Sequence, residues 1–279
     1  MSSTLEGGTR LRGKRFESSP NEPVLSIVTV VYNGAASLRR TMDSVLSQGY
    51  ANIEYIIVDG GSTDGTVDLL REYDERLAYW MSARDKGIYD AMNKGVGLCT
   101  GDWVAMINAD DWYEPGSVQR VVEAILEHPE ANVIHGDIWM RYPNGERSLK
   151  RARVSGFLLK YWEMVLNHPS FFVRRSFYQG RPFDERLRVS ADHKWTYQAF
   201  RDVPESFFYL PVPISNFSVG GASMSVPLSR VLSEGKQVCR DLGMNQLETF
   251  VGLAVRTLLY PVQHLKLRYN QHLAPKLRK

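Results

Sequence analysis

Short β-branched runs alternate with segments of helical period through the first hundred residues. Residues 25–31 (LSIVTVV) form an apolar run bounded by Pro23 and by Asn33-Gly34, which predicts a buried strand rather than a helix. Leu38, Met42, Val45 and Leu46 then recur at helical spacing with Gly49 as a stop, so a helix is expected to pack back on that strand. Residues 53–58 (IEYIIV) repeat the strand pattern and run into the turn-rich DGGSTDG of 59–65. A helix over 66–73, a strand near 77–81, a helix near 88–98 and a strand over 103–107 continue the alternation. This βαβα rhythm implies a mostly parallel central sheet flanked by helices. Ligands of such sheets bind outside the carboxyl ends of the strands. Asn33, Asp59 and the pair Asp110-Asp111 all fall at those ends.

Beyond Gly116 the rhythm changes to a helix over 117–127, a strand over 132–136 and a hairpin around Pro143-Asn144-Gly145. After Pro227 the apolar positions Val231, Leu232, Val238 and Leu242 keep helical spacing, and 226–279 is expected to be a helical appendage. Residues 1–22 have basic residues but no apolar core of a secretory signal, which predicts a flexible tail and a cytoplasmic protein. The folded domain is then 23–225.

Composition narrows the class. With 43% hydrophobic and 23% charged residues, the chain is neither disordered nor membrane-spanning throughout. Cys99 and Cys239 are far apart and suggest neither a disulfide framework nor a thiolate zinc site. The net charge is only +3, and no nucleic-acid partner is expected. Basic residues gather at one end: 250–279 holds Arg256, Lys266, Arg268, Lys276, Arg278 and Lys279 with no Asp or Glu. Arg256 interrupts FVGLAVRTLLYPV, so this segment is expected to lie on a membrane surface or pack on its own domain rather than span a bilayer.

The candidate chemistry begins at WVAMINADDW (103–112), where a strand runs straight into two carboxylates. Read alone, Asp110-Asp111 is either turn and cap chemistry before Pro115-Gly116 or half of a hard-cation site completed by substrate phosphates. Asp59, at the end of a neighbouring strand, is well placed for a nucleoside. The first loop, 32–37, has one glycine where a dinucleotide fold needs GxGxxG, and GxxxxGK[ST] is absent, so neither NAD nor a P-loop nucleotide site is supported.

Six segments in order, VTVVYNGAASLRRTMDSVLSQ (28–48), YIIVDGGSTDGT (55–66), DKGIYDAMNKG (85–95), TGDWVAMINADDW (100–112), NHPSFF (167–172) and SADHKW (190–195), resemble a family 2 glycosyltransferase over about residues 24–200. The resemblance implies the GT-A nucleotide-diphospho-sugar transferase fold, a nucleotide-sugar donor, a divalent cation (Mg²⁺ or Mn²⁺) and an inverting transfer. By the same likeness Asp59 reads the nucleobase, and Thr29, Val31 and Asn33 form the first nucleotide-contacting loop. Asp111 is the metal ligand and Asp110 faces the donor ribose, although Asn108-Ala109-Asp110 stands where many relatives have Asp-x-Asp. Asp192 falls at the general base, with Ala191 replacing an acid often found before it. His168 is either a contact to metal or leaving group or a local hydrogen-bonding residue. Asp85, in the run Arg84-Asp85-Lys86, is either a donor contact or part of a solvated loop. Tyr89, Met92 and Trp103 read as packing.

The resulting expectation is a metal-dependent hexosyltransferase, UDP-sugar preferred, acting on a saccharide or lipid-linked saccharide in cell-surface polysaccharide biosynthesis. Peripheral contact with the inner face of the cytoplasmic membrane is expected through the C-terminal segment. Two rivals stand beside it. A nucleotidyltransferase would want a glycine-rich basic loop after the first strand, and 32–37 has neither feature. A non-catalytic sugar-nucleotide-binding protein would not need Asp192 beside Asp111.

Overall fold

In the computed structural model residues 4–161, 164–221 and 226–268 are described, with the backbone alone for 262–268. The first half runs β1 (Leu5–Gly7), β2 (Leu25–Val31), α1 (Ala35–Leu46), β3 (Ile53–Asp59), α2 (Thr66–Glu72), β4 (Tyr79–Ser82), α3 (Ile88–Leu98) and β5 (Trp103–Asn108). The second runs β6 (Trp112–Tyr113), α4 (Ser117–Glu127), β7 (Val133–Arg141), β8 (Arg147–Lys150), α5 (Gly156–Tyr161), β9 (Phe172–Arg174), α6 (Arg175–Gln179), α7 (Ala191–Asp202), β10 (Phe207–Ser218), α8 (Leu228–Asp241) and α9 (Gln246–Arg268).

One mixed sheet in the order β1-β4-β3-β2-β5-β9-β7-β10-β6 carries the molecule, with β8 paired to β7. Its centre, β4-β3-β2-β5, is parallel, and the register sets Val31 opposite Asp59 and Val30 opposite Asn108. The loops after these four strands therefore open on one rim. Alternating side chains supply two cores. Leu25, Ile27, Tyr55 and Ile57 meet Leu38, Met42 and Val45 of α1 and Val118, Val121 and Val122 of α4. Val28, Val30, Ile56 and Val58 meet Tyr89 and Met92 of α3 and Trp195 of α7. Each fully buried Leu or Ile contributes about 1.5–3 kcal/mol.

Residues 4–22 are not the flexible tail that their composition predicts. β1 pairs antiparallel with β4, Leu5 opposite Ser82. Gly8, at φ 108, turns the chain so that the amides of Thr9 and Arg10 donate to Leu77 O and Ala78 O at 2.9 Å. The basic residues here find fixed partners: Arg10 donates to Leu98 O at 2.7 Å and lies 3.1 Å from Glu54. Docking comes from backbone pairing and ion pairs, which a scan for apolar runs does not see.

Within the expected helical segment the described residues form α8 and α9, and 269–279 lie outside them. α9 packs on α8 and α5, with Lys160 of α5 2.5 Å from Glu248. Leu247, Phe250 and Leu258 remain exposed along α9. Among the described residues no helix is long and apolar enough to cross a membrane. Lys276, Arg278 and Lys279, and the side chains of Lys266 and Arg268, lie outside the described residues.

Candidate active site

The loops after β2 and β3 are knitted together at the rim. Asn33 takes the left-handed conformation (φ 50), which presents its Oδ1 to the amide of Thr63 at 2.9 Å while its own amide donates to Ser62 Oγ at 2.6 Å. Gly34 N donates to Thr66 Oγ1 at 3.1 Å and Ala35 N to Asp64 Oδ2 at 3.0 Å. The preceding Tyr32 stands 66% exposed on the rim.

Asp59 is fully buried behind this loop. Its Oδ2 accepts from Gly61 N (3.2 Å), Ser62 N (3.0 Å) and Ser82 Oγ (2.6 Å), and its Oδ1 from Ser62 Oγ. Both oxygens accept hydrogen bonds, and through them Asp59 shapes the turn at the end of β3. Thr29 is likewise turned into the core, where its hydroxyl meets Tyr55 OH at 2.9 Å, and Val31 is 5% exposed at the strand end. Of the predicted nucleotide-contacting residues after the first strand, only Asn33 is exposed.

Asp85 takes the open place in front of Asp59. Its Oδ1 accepts from Gly87 N at 2.9 Å, and its Oδ2 rests where a side chain on Gly60 would sit, 2.5 Å from an ideal Cβ. Glycine at 60 is thus what lets this carboxylate lie over the β3 end. Burial raises the Asp85 carboxyl above its ordinary range, and Gly87 works against that.

Asp110 and Asp111 follow β5 and are boxed by α1 and β10. Asp111 is 1% exposed; its Oδ1 accepts from Ser218 N at 2.8 Å, while its Oδ2 has no partner. Burial pushes this carboxyl well above the usual carboxylate range, and the adjacent Asp110 pushes the same way. Arg40 of α1 donates to Asp110 O at 2.9 Å, and its guanidinium carbon lies 3.7 Å from the centre of the Trp112 ring. Nothing in the local sequence pattern singles out Arg40. Its role is visible only once α1 folds back to set a permanent cation beside two acids. Gly221 lies so close to Asp110 that a Cβ there would come within 2.7 Å of its Oδ2.

Asp192 sits in the first turn of α7, where the helix N-terminus favours a carboxylate. Its Oδ1 accepts from His193 N (2.8 Å) and from the Tyr89 hydroxyl (3.0 Å), so Tyr89 is more than the packing residue its pattern suggests. His168 is buried against Phe171 and Phe183, at ring distances of 5.3 and 5.8 Å, with Nε2 unpartnered. Burial lowers its pKa and Asp192 opposes that, which ties it to the Asp192 side of the site. Another acid, Asp184, is held well below the carboxylate range by Arg186 and then Lys194, as a structural ion pair.

A hard divalent cation fits Asp111 in one respect: a buried carboxylate with a free oxygen is short of positive charge. Among the described residues no three His, Cys, Asp or Glu side chains converge as a cage. Such an ion would need substrate phosphates to fill its shell. A separate cleft of about 430 Å³, lined by Leu5, Glu6, Arg71, Asp74 and Trp80, lies at the β1 edge. Its Asp74 is already taken by Trp80 Nε1 and Arg12, so it lacks the unpaired acids of the rim.

Known proteins are similar to this chain in sequence and in fold. The chain is 33% identical over 215 residues to the PGL/p-HBAD biosynthesis glycosyltransferases of Mycobacterium bovis and Mycobacterium tuberculosis, covering 73% of this chain and 80% of theirs. It superposes on residues 1–349 of S. aureus TarS in complex with UDP-GlcNAc with a TM-score of 0.62 at 15% identity, covering 88% of this chain and 72% of that one. Of a longer TarS chain it spans 43%. The mannosyltransferase PcManGT from Pyrobaculum calidifontis, in complex with GDP-Man and Mn²⁺, superposes at 0.59 with 13% identity over 96% of this chain and 82% of that one. These structures share the GT-A fold. Residues 26–181, from β2 to just beyond α6, match Glycosyl transferase family 2, and with the rim of acids they frame, the chain belongs to that family and is a glycosyltransferase.

Proposed function

We propose that this enzyme moves a hexosyl group, with inversion, from a nucleotide sugar to a hydroxyl of a saccharide or lipid-linked saccharide, with Mg²⁺ or Mn²⁺ at Asp111. The observation that carries the reading is the unpartnered Oδ2 of buried Asp111 at the carboxyl rim of the sheet. When bound there, the cation supplies positive charge against the departing nucleoside diphosphate. The chain's own residues do the rest. Asn33 and Asp85 meet the nucleoside, with Asp59, Thr29 and Val31 shaping the loop behind them, and Asp110 faces the ribose. Asp192 takes the acceptor's proton as its oxygen bonds to the anomeric carbon and the bond to the phosphate oxygen breaks. The neighbours bound to UDP-GlcNAc and to GDP-Man with Mn²⁺ support a nucleotide sugar and a cation, and leave UDP as the preferred but not the sole candidate.

The test is nucleoside diphosphate release from a panel of UDP- and GDP-hexoses with Mn²⁺ or Mg²⁺. Asp192→Asn should lower turnover by roughly 10² to 10⁴, the usual effect of losing a general base, with donor affinity retained. Normal turnover in that variant would remove Asp192 from the mechanism.

The mycobacterial relatives' name joins them to PGL/p-HBAD biosynthesis, and we place this enzyme in cell-surface glycan assembly at the cytoplasmic face of a membrane. Exposed Leu247, Phe250 and Leu258 share a side of α9, and 250–279 carries six Lys/Arg without an acid, which suits an anionic surface. Replacing all three apolar residues by Asp should release the protein from phosphatidylglycerol vesicles. Unchanged partitioning would remove the membrane from the proposal.

A further inference from the structure

Asp192 is held on one side only. Its Oδ1 carries two hydrogen bonds, from the amide of His193 within its own helix and from the hydroxyl of Tyr89 on α3, while no protein donor among the described residues meets its Oδ2. Tyr89 is itself fixed: it is 5% exposed, and its ring stacks on Phe183 with centroids 5.9 Å apart and planes 24° apart. The backbone amides of Ala191 and Asp192 also act on the phenol oxygen, so the hydroxyl sits against the N-terminus of α7 while its proton goes to the carboxylate. Burial, and then the charge of Asp192, raise the Tyr89 hydroxyl well above its ordinary value, so it stays a donor.

We infer that Tyr89 is the positioning residue for Asp192: its hydroxyl pins Oδ1 so that Oδ2 is the oxygen presented to the acceptor. The inference rests on Asp192 being the base. It also gives α3 a part in the chemistry. α3 begins three residues after Asp85, the proposed nucleoside contact, so one short stretch, 85–89, reaches the donor at one end and the base at the other. A Phe at 89 would keep the stack and leave Oδ1 with the His193 amide alone, free to rotate about the side chain.

The first measurement needs no substrate. In a double-mutant cycle on the full chain, Tyr89→Phe and Asp192→Ala should be non-additive in the unfolding equilibrium by about threefold or more, the mark of a direct contact. Additive effects would overturn the inference. The second uses nucleoside diphosphate release from the UDP- and GDP-hexose panel with Mn²⁺. Tyr89→Phe should lower kcat about tenfold, in keeping with one hydrogen bond to a charged group, while the donor KM stays within about twofold. In the Asp192→Asn background the same change should cost less than about twofold. A rise in donor KM with kcat unchanged would make Tyr89 a mere support of the donor loop and sink the inference. So would an equal loss of kcat in both backgrounds. If Asp192→Asn itself turns over normally, the base assignment fails first and this inference with it. A slow Asp192→Asn beside an unimpaired Tyr89→Phe removes the positioning role alone.

Discussion

Two carboxylates close neighbouring loops of the same rim, and they are treated in opposite ways. Asp59 ends β3 with both oxygens filled by Gly61, Ser62 and Ser82. Asp111, just past β5, is as deeply buried, but while its Oδ1 accepts from Ser218 N its Oδ2 has no partner. Both strands flank β2, so sheet position does not explain the difference. The supply of donors does: a Gly-Gly-Ser turn folds its amides back onto Asp59, whereas Asp111 has the Ser218 amide and the Asn108 side chain, and neither fills its Oδ2. A filled acid holds structure, and an unfilled one stores an appetite for positive charge.

The largest test of this contrast is Asp111→Asn. It should lower turnover about 10³-fold through loss of several kcal/mol of charge stabilisation. It should also stabilise the ligand-free fold by about 1–3 kcal/mol, since an unpaired buried charge is gone. Urea denaturation with and without Mn²⁺ checks both arms: Mn²⁺ with UDP should stabilise the native chain and leave Asp111→Asn unmoved. A destabilised Asp111→Asn would break the comparison.

Asp59→Ala should do the reverse, costing about 2–4 kcal/mol of fold stability because several donors lose their acceptor together. Donor affinity should fall with it, and calorimetric titration with UDP would register that. If stability is unchanged while UDP binding disappears, Asp59 contacts the nucleotide directly after all.

Histidines sharpen the point. His135 is buried among Phe171, Phe207 and Tyr209 with both ring nitrogens unpartnered, so a bare polar atom does not always mark chemistry. Burial lowers it to about 4, and burial followed by Arg256 lowers His193 to about 4 as well. Both folded values lie below the unfolded one, so the stability they contribute is complete above about pH 6.5 and is lost as the pH falls toward 4. Each should add up to about 1.4 kcal/mol per pH unit to that slope. Urea midpoints across this window should show the fall, and His135→Leu should remove about half of it.

The smallest expected effect belongs to Asp85→Asn. It should weaken UDP binding about tenfold, the worth of one hydrogen bond to a charged group, with little change in stability. No change in UDP affinity would return Asp85 to the solvated loop.

Much of this was legible in the chain. The helix over 117–127 is found at those residues, and the strands that build the rim lie where their apolar runs predict. What was hidden has physical reasons. A strand buried on both faces has no alternation, so nothing in LSIVTVV told that Thr29 faces Tyr55 rather than the rim. β10 contains Pro211 and Pro213, which argue against a strand, and the structure absorbs them as register shifts beside β7. α7 buries His193 and Lys194 and so lacks a clean apolar stripe. The partners of the acids, Ser218, Arg40 and Tyr89, come from positions 107, 70 and 103 residues away. No local pattern announces such pairs.

The docking of β1 on β4 has a practical consequence. Trimming the chain to begin at Val24, which the composition of 1–22 invites, would strip the outermost strand and leave the amides and carbonyls of Tyr79–Ser82 facing water. An open strand edge is a template for another chain, and Trp80 and Met81 would be laid bare beside it. The shortened enzyme should therefore self-associate more readily than the full one, and any loss of activity in it would report aggregation before it reported anything about catalysis.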